Sequence, residues 1–303
     1  MSNLYRNLVE MPIVTKVWSK YPKIWKHLVN VGLFIKYKTI HFEKLPSSIK
    51  LPSSFDLHIN PEENRGRALL IRNGLIQEGL ARFWVSSVHS FSPTIVLDVG
   101  VNYGEYLFTV KYPKSTKIYG IEANEQLLNY IDKSLENHPN KSQFNIIHAF
   151  ATNREQQTHP FYIDKNWSGT SSGNAFNFEK VEKKVVPTIT VDSLLKEANL
   201  KKERILFKID VEGYEALVLE GMEHTIKNSK HLLGIIEFDS IYLQKAGTNL
   251  HLFLNKLDTN FYVYLFNKDG QLLKIDYLSL ETLQKALKSK HIHTDLILST
   301  TEL

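Results

Sequence analysis

The sequence predicts an α/β fold: a doubly wound, mostly parallel, Rossmann-like sheet behind a largely helical N-terminal extension. Three observations predict it. Strand-like and helix-like patterns alternate from Ile95 onward, which calls for parallel strands joined by right-handed crossovers. The run Thr94 to Leu97 is apolar without polar alternation, as in a strand buried on both faces. Gly100 and Gly104 then follow, and Tyr106, Leu107 and Val110 continue with helical spacing. Strand, glycine turn and helix form the opening unit of a nucleotide-binding sheet.

Taken in order, the chain begins with its most basic part. Residues 1–50 carry nine basic residues against two acidic ones, about +7, whereas all 303 residues sum to +5. The remainder is therefore slightly acidic, which argues against a nucleic-acid-binding face on the main domain. Val14, Trp18, Tyr21, Trp25, Leu28 and Ile35 fall at helical spacings, with Lys16, Lys20 and Lys23 on another face. Pro22 is expected to split this pattern and to open a helix. Such an amphipathic segment suits packing on the main domain, on a second copy of the chain, or on an anionic membrane surface. Residues 45–65 hold Pro46, Pro52 and Pro61 among serines and read as a turn-rich connection. Ala68 to Val88 reads as one or two helices. These segments define an extension, residues 1–90, ahead of a domain at 91–303.

Within that domain, strands are expected at Ile95–Asp98, Lys117–Glu122, Phe144–Phe150, Ile205–Asp210, Leu232–Phe238, Phe261–Phe266 and Asp295–Leu298. Helices are expected from Gly104, around Leu127–Ile131, over Asp192–Leu200 and Glu212–Met222, and near Leu250–Leu257 and Leu280–Leu287. A polar insertion near 156–187 interrupts the alternation with short β-like pieces. The final connections are shorter, which predicts an antiparallel edge strand. Composition is that of a globular chain, 43% hydrophobic and 23% charged, and no cysteine is present. Disulfides and thiolate metal sites are thereby excluded, and a cytoplasmic location is expected, with membrane association through the extension as an addition. No apolar run approaches the ~20 residues of a membrane span, and the N-terminus has no signal-like apolar region.

The glycine turn narrows the ligand. A dinucleotide fingerprint needs glycine two residues after the first, where the pyrophosphate approaches. Here that residue is Asn102, and no Gly-Lys-Ser/Thr follows to make a phosphate loop. An adenosine with a cationic or zwitterionic tail fits better, and S-adenosylmethionine (SAM) is the leading candidate. Ligands on such sheets bind beyond the carboxyl ends of the strands. There stand Asp98, Glu122, Phe150, Asp210 and Glu237. Glu122 is expected to accept hydrogen bonds from ribose hydroxyls, and Ala149 and Phe150 to flank adenine. Asn102 and the amides of Gly100 to Gly104 are expected to face the amino-acid tail, with Asp98 holding the turn. Asp210, Glu212, Glu237 and Asp239 raise one another's pKa, so one could act as a general base. A hard divalent cation bound by their oxygens is the alternative. Glu212 and Glu215 also suit a helix N-terminus.

Three pieces together resemble the FkbM-type SAM-dependent methyltransferases: Asp98-Val-Gly-Val-Asn-Tyr-Gly104, Gly120-Ile-Glu122-Ala-Asn124 and Lys208-Ile-Asp-Val-Glu-Gly-Tyr-Glu215. The resemblance spans about Ile95 to Leu298, with Val101 and Ala123 as departures from the small residue and the proline usual there. It implies a class I methyltransferase sheet and an O-methyltransferase acting on hydroxyls of sugars, glycans or natural products; no nucleic-acid partner is expected, from the charge distribution above. Asp210, Glu212 and Glu237 are the expected catalytic residues, and homo-oligomerisation is left open. Two other readings remain: an NAD- or nucleotide-sugar-binding oxidoreductase on a related fold, and a non-catalytic membrane-peripheral binding protein.

Overall fold

The computed structural model describes residues 22–39, 41–155, 157–175, 181–267 and 270–303. The expectations for Val14, Lys16, Trp18, Lys20 and Tyr21 lie outside the described residues, as do those for the side chains of Lys23, Trp25 and Leu28. Helix α1 (Pro22–Tyr37) opens on Pro22, whose missing N–H costs nothing in a first turn. It buries Val29 and Leu33, one turn apart on one face, and packs against helix α2 (Asn64–Ile71). Lys36 Nζ donates to Leu70 O at 2.6 Å and to Asn73 Oδ1 at 2.7 Å, which satisfies a helix-end carbonyl of α2. Val31 and Phe34 remain exposed. A hairpin of β1 (Ser48–Lys50) and β2 (Asp56–His58) lies between these helices in the chain. Helix α3 (Glu78–Phe91) buries Leu80, Ala81, Trp84 and Val88. Among the described residues no helix is long and apolar enough to cross a membrane.

Strands β3 (Ile95–Val99), β4 (Lys117–Glu122) and β5 (Phe144–His148) pair in parallel, with α4 (Glu125–Leu135) between the last two. The chain then builds a smaller sheet. In it β6 (Phe150–Ala151) pairs with β8 (Val181–Ile189), and β8 pairs antiparallel with β7 (Thr158–Asp164). After α5 (Val191–Leu194) the chain returns beside β3 as β9 (Arg204–Ile209), followed by α6 (Glu215–Glu220), α7 (Glu223–Asn228) and β10 (His231–Asp239). Helices α8 (Ser240–Lys245) and α9 (Leu250–Asn260) lead to β11 (Tyr262–Phe266) and β12 (Leu272–Ile275). Helix α10 (Leu280–Leu287) leads to β13 (His293–Ser299). The main sheet runs β12-β11-β13-β10-β9-β3-β4-β5. Strands β3, β4 and β5 are added in one direction across the sheet and β9 and β10 in the other, all parallel, so the carboxyl ends of β3 and β9 mark the switch point where ligands bind.

Five expectations need correction. No α-helix follows Gly104; Leu107–Thr109 is a single 3-10 turn. Tyr106, Leu107 and Phe108 are all buried, and three consecutive buried residues cannot share the one inward face of a helix. Asp192–Leu200 is helical only as far as Leu194, where Leu195 leaves helical geometry at φ -99° and ψ 11°, and Asp192 accepts from Thr225 N and Oγ1 and from His224 N. The helix expected from Glu212 starts at Glu215, since Glu212 and Gly213 adopt φ of 53° and 104°, outside helical geometry. The strand expected over Phe144–Phe150 breaks at Ala149, whose N–H bonds Glu122 O, and Phe150 joins the smaller sheet. Finally, the antiparallel strand β13 is interior, between β10 and β11, and the unforeseen β12 forms the antiparallel edge.

Period-two alternation divides the core. Ile95, Leu97, Val99, Phe207 and Ile209 face one cluster, while Val96, Leu206, Ile235 and Ile297 face the other, with Leu57, Leu69 and Trp84 from the N-terminal segment. By the same alternation Asp98, Lys208, Glu237 and Asp295 project on the second face. Asp98 pairs in register with Lys208, and Glu237 with Asp295. A row of ionisable groups thus lies beneath the N-terminal segment, at the carboxyl edge of the sheet.

Candidate active site

A cleft opens at the switch point, where such sheets bind their ligands. Gly100, Asn102, Glu122, Ala149, Phe150, Asp210 and Glu212 line it, joined by Arg65, Phe161, Ser168, Gly169 and Ser171. The glycine turn is fixed by its backbone. Gly100 has φ 84°, and a Cβ there would lie 1.9 Å from Asp210 O, so only glycine lets the ends of β3 and β9 approach so closely. Asn102 takes φ 54°, a left-handed conformation that asparagine tolerates better than most residues. Its N–H donates to Glu122 Oε2 at 2.7 Å, and Asn124 N–H donates to Glu122 Oε1 at 2.7 Å. Burial pushes the Glu122 carboxyl up, and these two N–H groups pull it back. Each oxygen keeps a lone pair for a further donor.

The turn amides do not stand as the sequence suggested. Gly100 N–H and Val101 N–H bond Ile121 O at 2.9 and 3.3 Å, and Gly104 N–H bonds Val101 O at 2.9 Å. With Asn102 N–H spent on Glu122, this hydrogen bonding turns inward. Gly104 does not line the cleft; at φ 81° its Cα faces the Phe108 ring, 2.5 Å from where a Cβ would sit. Asp98 does not line it either. It is 1% exposed, its Oδ1 has no hydrogen-bond partner among the described residues, and burial raises its pKa to about 7, against the pull of Lys208.

In the cleft lining Phe150 stacks on His159, with ring centroids 4.4 Å apart, and meets the edge of Tyr214 at 4.9 Å. His159 therefore packs as a ring, and His148 Nε2 lies 3.1 Å from Ala123 O. The acids form a second group. Asp210 Oδ2 accepts from Lys208 Nζ at 2.8 Å. Burial works to raise the Asp210 pKa, yet the Lys208 ammonium and the Arg65 guanidinium hold it below the ordinary value. Glu212, buried beside Glu237 and Asp210, is pushed well above it. Glu237 is raised by burial and by Asp210, while His293, whose Nε2 lies 3.1 Å from its Oε1, opposes the rise. Glu237 sits behind the lining residues, with Oε2 buried and lacking a hydrogen-bond partner. Asp239 caps α8 and pairs with His291. Asp210, Glu212 and Glu237 offer oxygens within 4.8 Å of one another. These three are the residues that could hold a hard cation.

The sequence reading missed the contribution of the segment before the sheet. Glu63 accepts from Tyr103 Oη and from Ser168 N–H, and Asn64 N–H bonds Asn166 O at 3.2 Å. Arg65 Nη2 donates to Glu105 Oε1 at 2.5 Å. The short run Glu63-Asn64-Arg65-Gly66-Arg67 thus ties the glycine turn to the insertion. Its only local signal was two arginines flanking a glycine in a linker; Gly66 is needed because a Cβ would lie 1.9 Å from Asn60 O.

The family model for the methyltransferase FkbM domain matches residues 98–266. The chain belongs to the FkbM methyltransferase family. Its matched part holds the glycine turn, Glu122, Asp210, Glu212 and Glu237, whereas Arg65, Glu63 and His293 lie outside it. No curated protein matches the chain. Among solved structures, the O-methyltransferase TomG of Streptomyces achromogenes, in complex with SAM, is similar at 9% identity and TM-score 0.41, covering 78% of this chain and 86% of its own. A putative caffeoyl-CoA O-methyltransferase from Staphylococcus aureus is similar at 11% identity and TM-score 0.41, covering 78% and 88%. A putative O-methyltransferase from Klebsiella pneumoniae gives 9% and 0.41, covering 76% and 82%.

Proposed function

We propose that this FkbM-family methyltransferase uses SAM to methylate a hydroxyl group, on a sugar, a glycan or a natural product. One observation carries the reading: a single cleft joins Glu122, anchored by two backbone N–H groups, to the acid pair Asp210 and Glu212. That arrangement suits a nucleoside whose tail is cationic. Glu122 is placed to accept from ribose hydroxyls, Ala149 and Phe150 to pack on the base, and Asp210 and Glu212 to favour a sulfonium. SAM supplies an activated methyl group, so the protein's main task is to hold the acceptor oxygen in line. Positioning of that kind can lower a barrier by roughly 7–11 kcal/mol.

Asp210 is held ionised by Lys208 and is the group to accept the hydrogen bond of the acceptor hydroxyl. Burial and their acidic neighbours push the Glu212 and Glu237 carboxyls up, so in their ionised forms they bind the released proton more readily than Asp210 does. An acid-rich lining disfavours phosphorylated and other anionic acceptors, which supports a neutral polyhydroxy compound and speaks against nucleic acid. On this reading residues 91–303 form the methyltransferase domain and residues 1–90 an N-terminal extension, whose described part shares a core with the sheet.

Calorimetry is the test. SAM and S-adenosylhomocysteine should bind and NAD should not, since Asn102 obstructs a pyrophosphate. Tight NAD binding without a response to SAM would return the protein to the oxidoreductase reading. With an acceptor in hand, Asp210→Asn should cut turnover by at least about two orders of magnitude while SAM affinity falls much less. Near-normal turnover would remove Asp210 from the mechanism. Loss of activity with chelator, restored by magnesium, would instead assign the three carboxylates to a cation.

A further inference from the structure

We infer that Arg65 recognises the α-carboxylate of the cofactor's amino-acid tail, so that a segment outside the family-matched region completes the cofactor site. The inference rests on the SAM reading above and adds to it the partner of one charged group.

A carboxylate taken into a cleft needs charge-assisted donors. The usual source on such a sheet is the run of free amides after the first strand, at a helix N-terminus. Much of that supply is spent here. The N–H groups of Gly100, Val101, Asn102 and Gly104 are committed to Ile121 O, Glu122 and Val101 O, and only the 3-10 turn Leu107–Thr109 follows. The other charged groups of the lining, Glu122, Asp210 and Glu212, would repel an anion. Arg65 is the one cationic side chain among the residues lining the cleft.

Its geometry leaves capacity for a second partner. The guanidinium has five N–H donors in a planar fork. One is given to Glu105 at 2.5 Å, and Nε has no hydrogen-bond partner among the described residues. Nη1 lies against Gly169, where a Cβ would come within 2.6 Å, so a glycine of the insertion makes room for the fork at the cleft wall. The side chain is 16% exposed, shielded from bulk water yet reachable from the cleft. Glu105, Asp210 and Glu63 hold it charged against the cost of burial. A fork already oriented by Glu105 can pair with a carboxylate at little further entropic cost, which a lysine there could not do as well.

The experiment is a binding cycle on the full chain by calorimetry. Wild type and Arg65→Gln are each titrated with SAM and with decarboxylated SAM, which keeps the sulfonium and ammonium but lacks the carboxylate. The ratio of the two dissociation constants should shift by at least about tenfold against SAM in Arg65→Gln, the loss of one charge-assisted pair. Arg65→Lys should shift it by less. Equal weakening of both ligands, or an unchanged ratio, would overturn the inference and leave Arg65 a structural ion pair. If Arg65→Gln fails to fold because Glu105 is left buried and unpaired, Arg65→Gln/Glu105→Gln removes both charges, and the same ratio is read. Wild type that binds neither ligand would remove the SAM reading itself, and this assignment with it.

Discussion

The wall of the cleft carrying Gly100, Asn102 and Glu122 is held by main-chain hydrogen bonds, whereas the wall carrying Arg65 and Ser168 is held by side chains from segments far apart in the chain. In the first, Glu122 meets an amide of its own turn and one of the preceding glycine turn. In the second, Glu63 reaches Ser168 across 105 residues and Arg65 reaches Glu105 across 40. A backbone-held wall needs particular residues at particular spacings and is built as soon as β3 and β4 pair. A wall held by buried polar side chains depends on every member finding its partner, and one lost partner leaves the rest unsatisfied.

Substitutions can break this contrast. The largest effect is expected at the backbone-held wall. Gly100→Ala places a Cβ 1.9 Å from Asp210 O at φ 84°, combining left-handed strain with a clash that only backbone movement relieves. It should cost at least about 3 kcal/mol of stability in urea denaturation. A loss below about 1 kcal/mol would show that the ends of β3 and β9 separate easily. Next comes Glu63→Ala, which strands the buried Tyr103 hydroxyl and Ser168 N–H. A cost of about 2–4 kcal/mol is expected, with faster proteolysis near residues 164–170. Unchanged protection there would mean that the insertion is held by other contacts.

The smallest effect concerns pH. Asp98 is raised by burial to about 7, so between its unfolded value and about 7 the native state binds more protons than the unfolded chain. Its contribution to stability therefore declines as pH rises through that window. Asp295, raised to about 7 by burial and Glu237, acts in the same direction. His293, raised to about 9 by Glu237, contributes stability that is full at low pH and lost as pH passes its folded value. Unfolding free energy should fall between pH 5 and pH 8, and Asp98→Asn should flatten the slope. An identical slope in the variant would show that Asp98 ionises freely in the fold.

This contrast also explains which parts of the site could be read in the sequence. Glu122 and Asp210 were visible because strand periodicity stops where each strand ends, and ligands gather there. Gly100 and Asn102 were visible because a tight turn demands them. The helix after Gly104 was misread because Tyr106, Leu107 and Val110 carry helical spacing, yet Phe108 between them is buried as well. The free amides expected in the turn were misread because hydrogen-bond partners such as Ile121 O are set by strand pairing. Arg65 gave only the weak signal of two arginines around a glycine: its place depends on α2 docking beside a loop encoded a hundred residues later.

Strand β13 has a consequence for how the molecule comes into being. It follows β11 and β12 in the chain yet lies between β10 and β11. Until it has been synthesised, β10 offers one unpaired edge and β11 another, each mostly apolar. At about 5–20 residues per second, the stretch from Asp239 to His293 takes roughly 3–11 s to make. For that time a nascent chain carries two sticky margins that a neighbouring ribosome's product could zip onto. The apolar row Leu296, Ile297 and Leu298 is thus the clasp that closes the sheet, and shortening the chain before it would leave a protein able to bind itself.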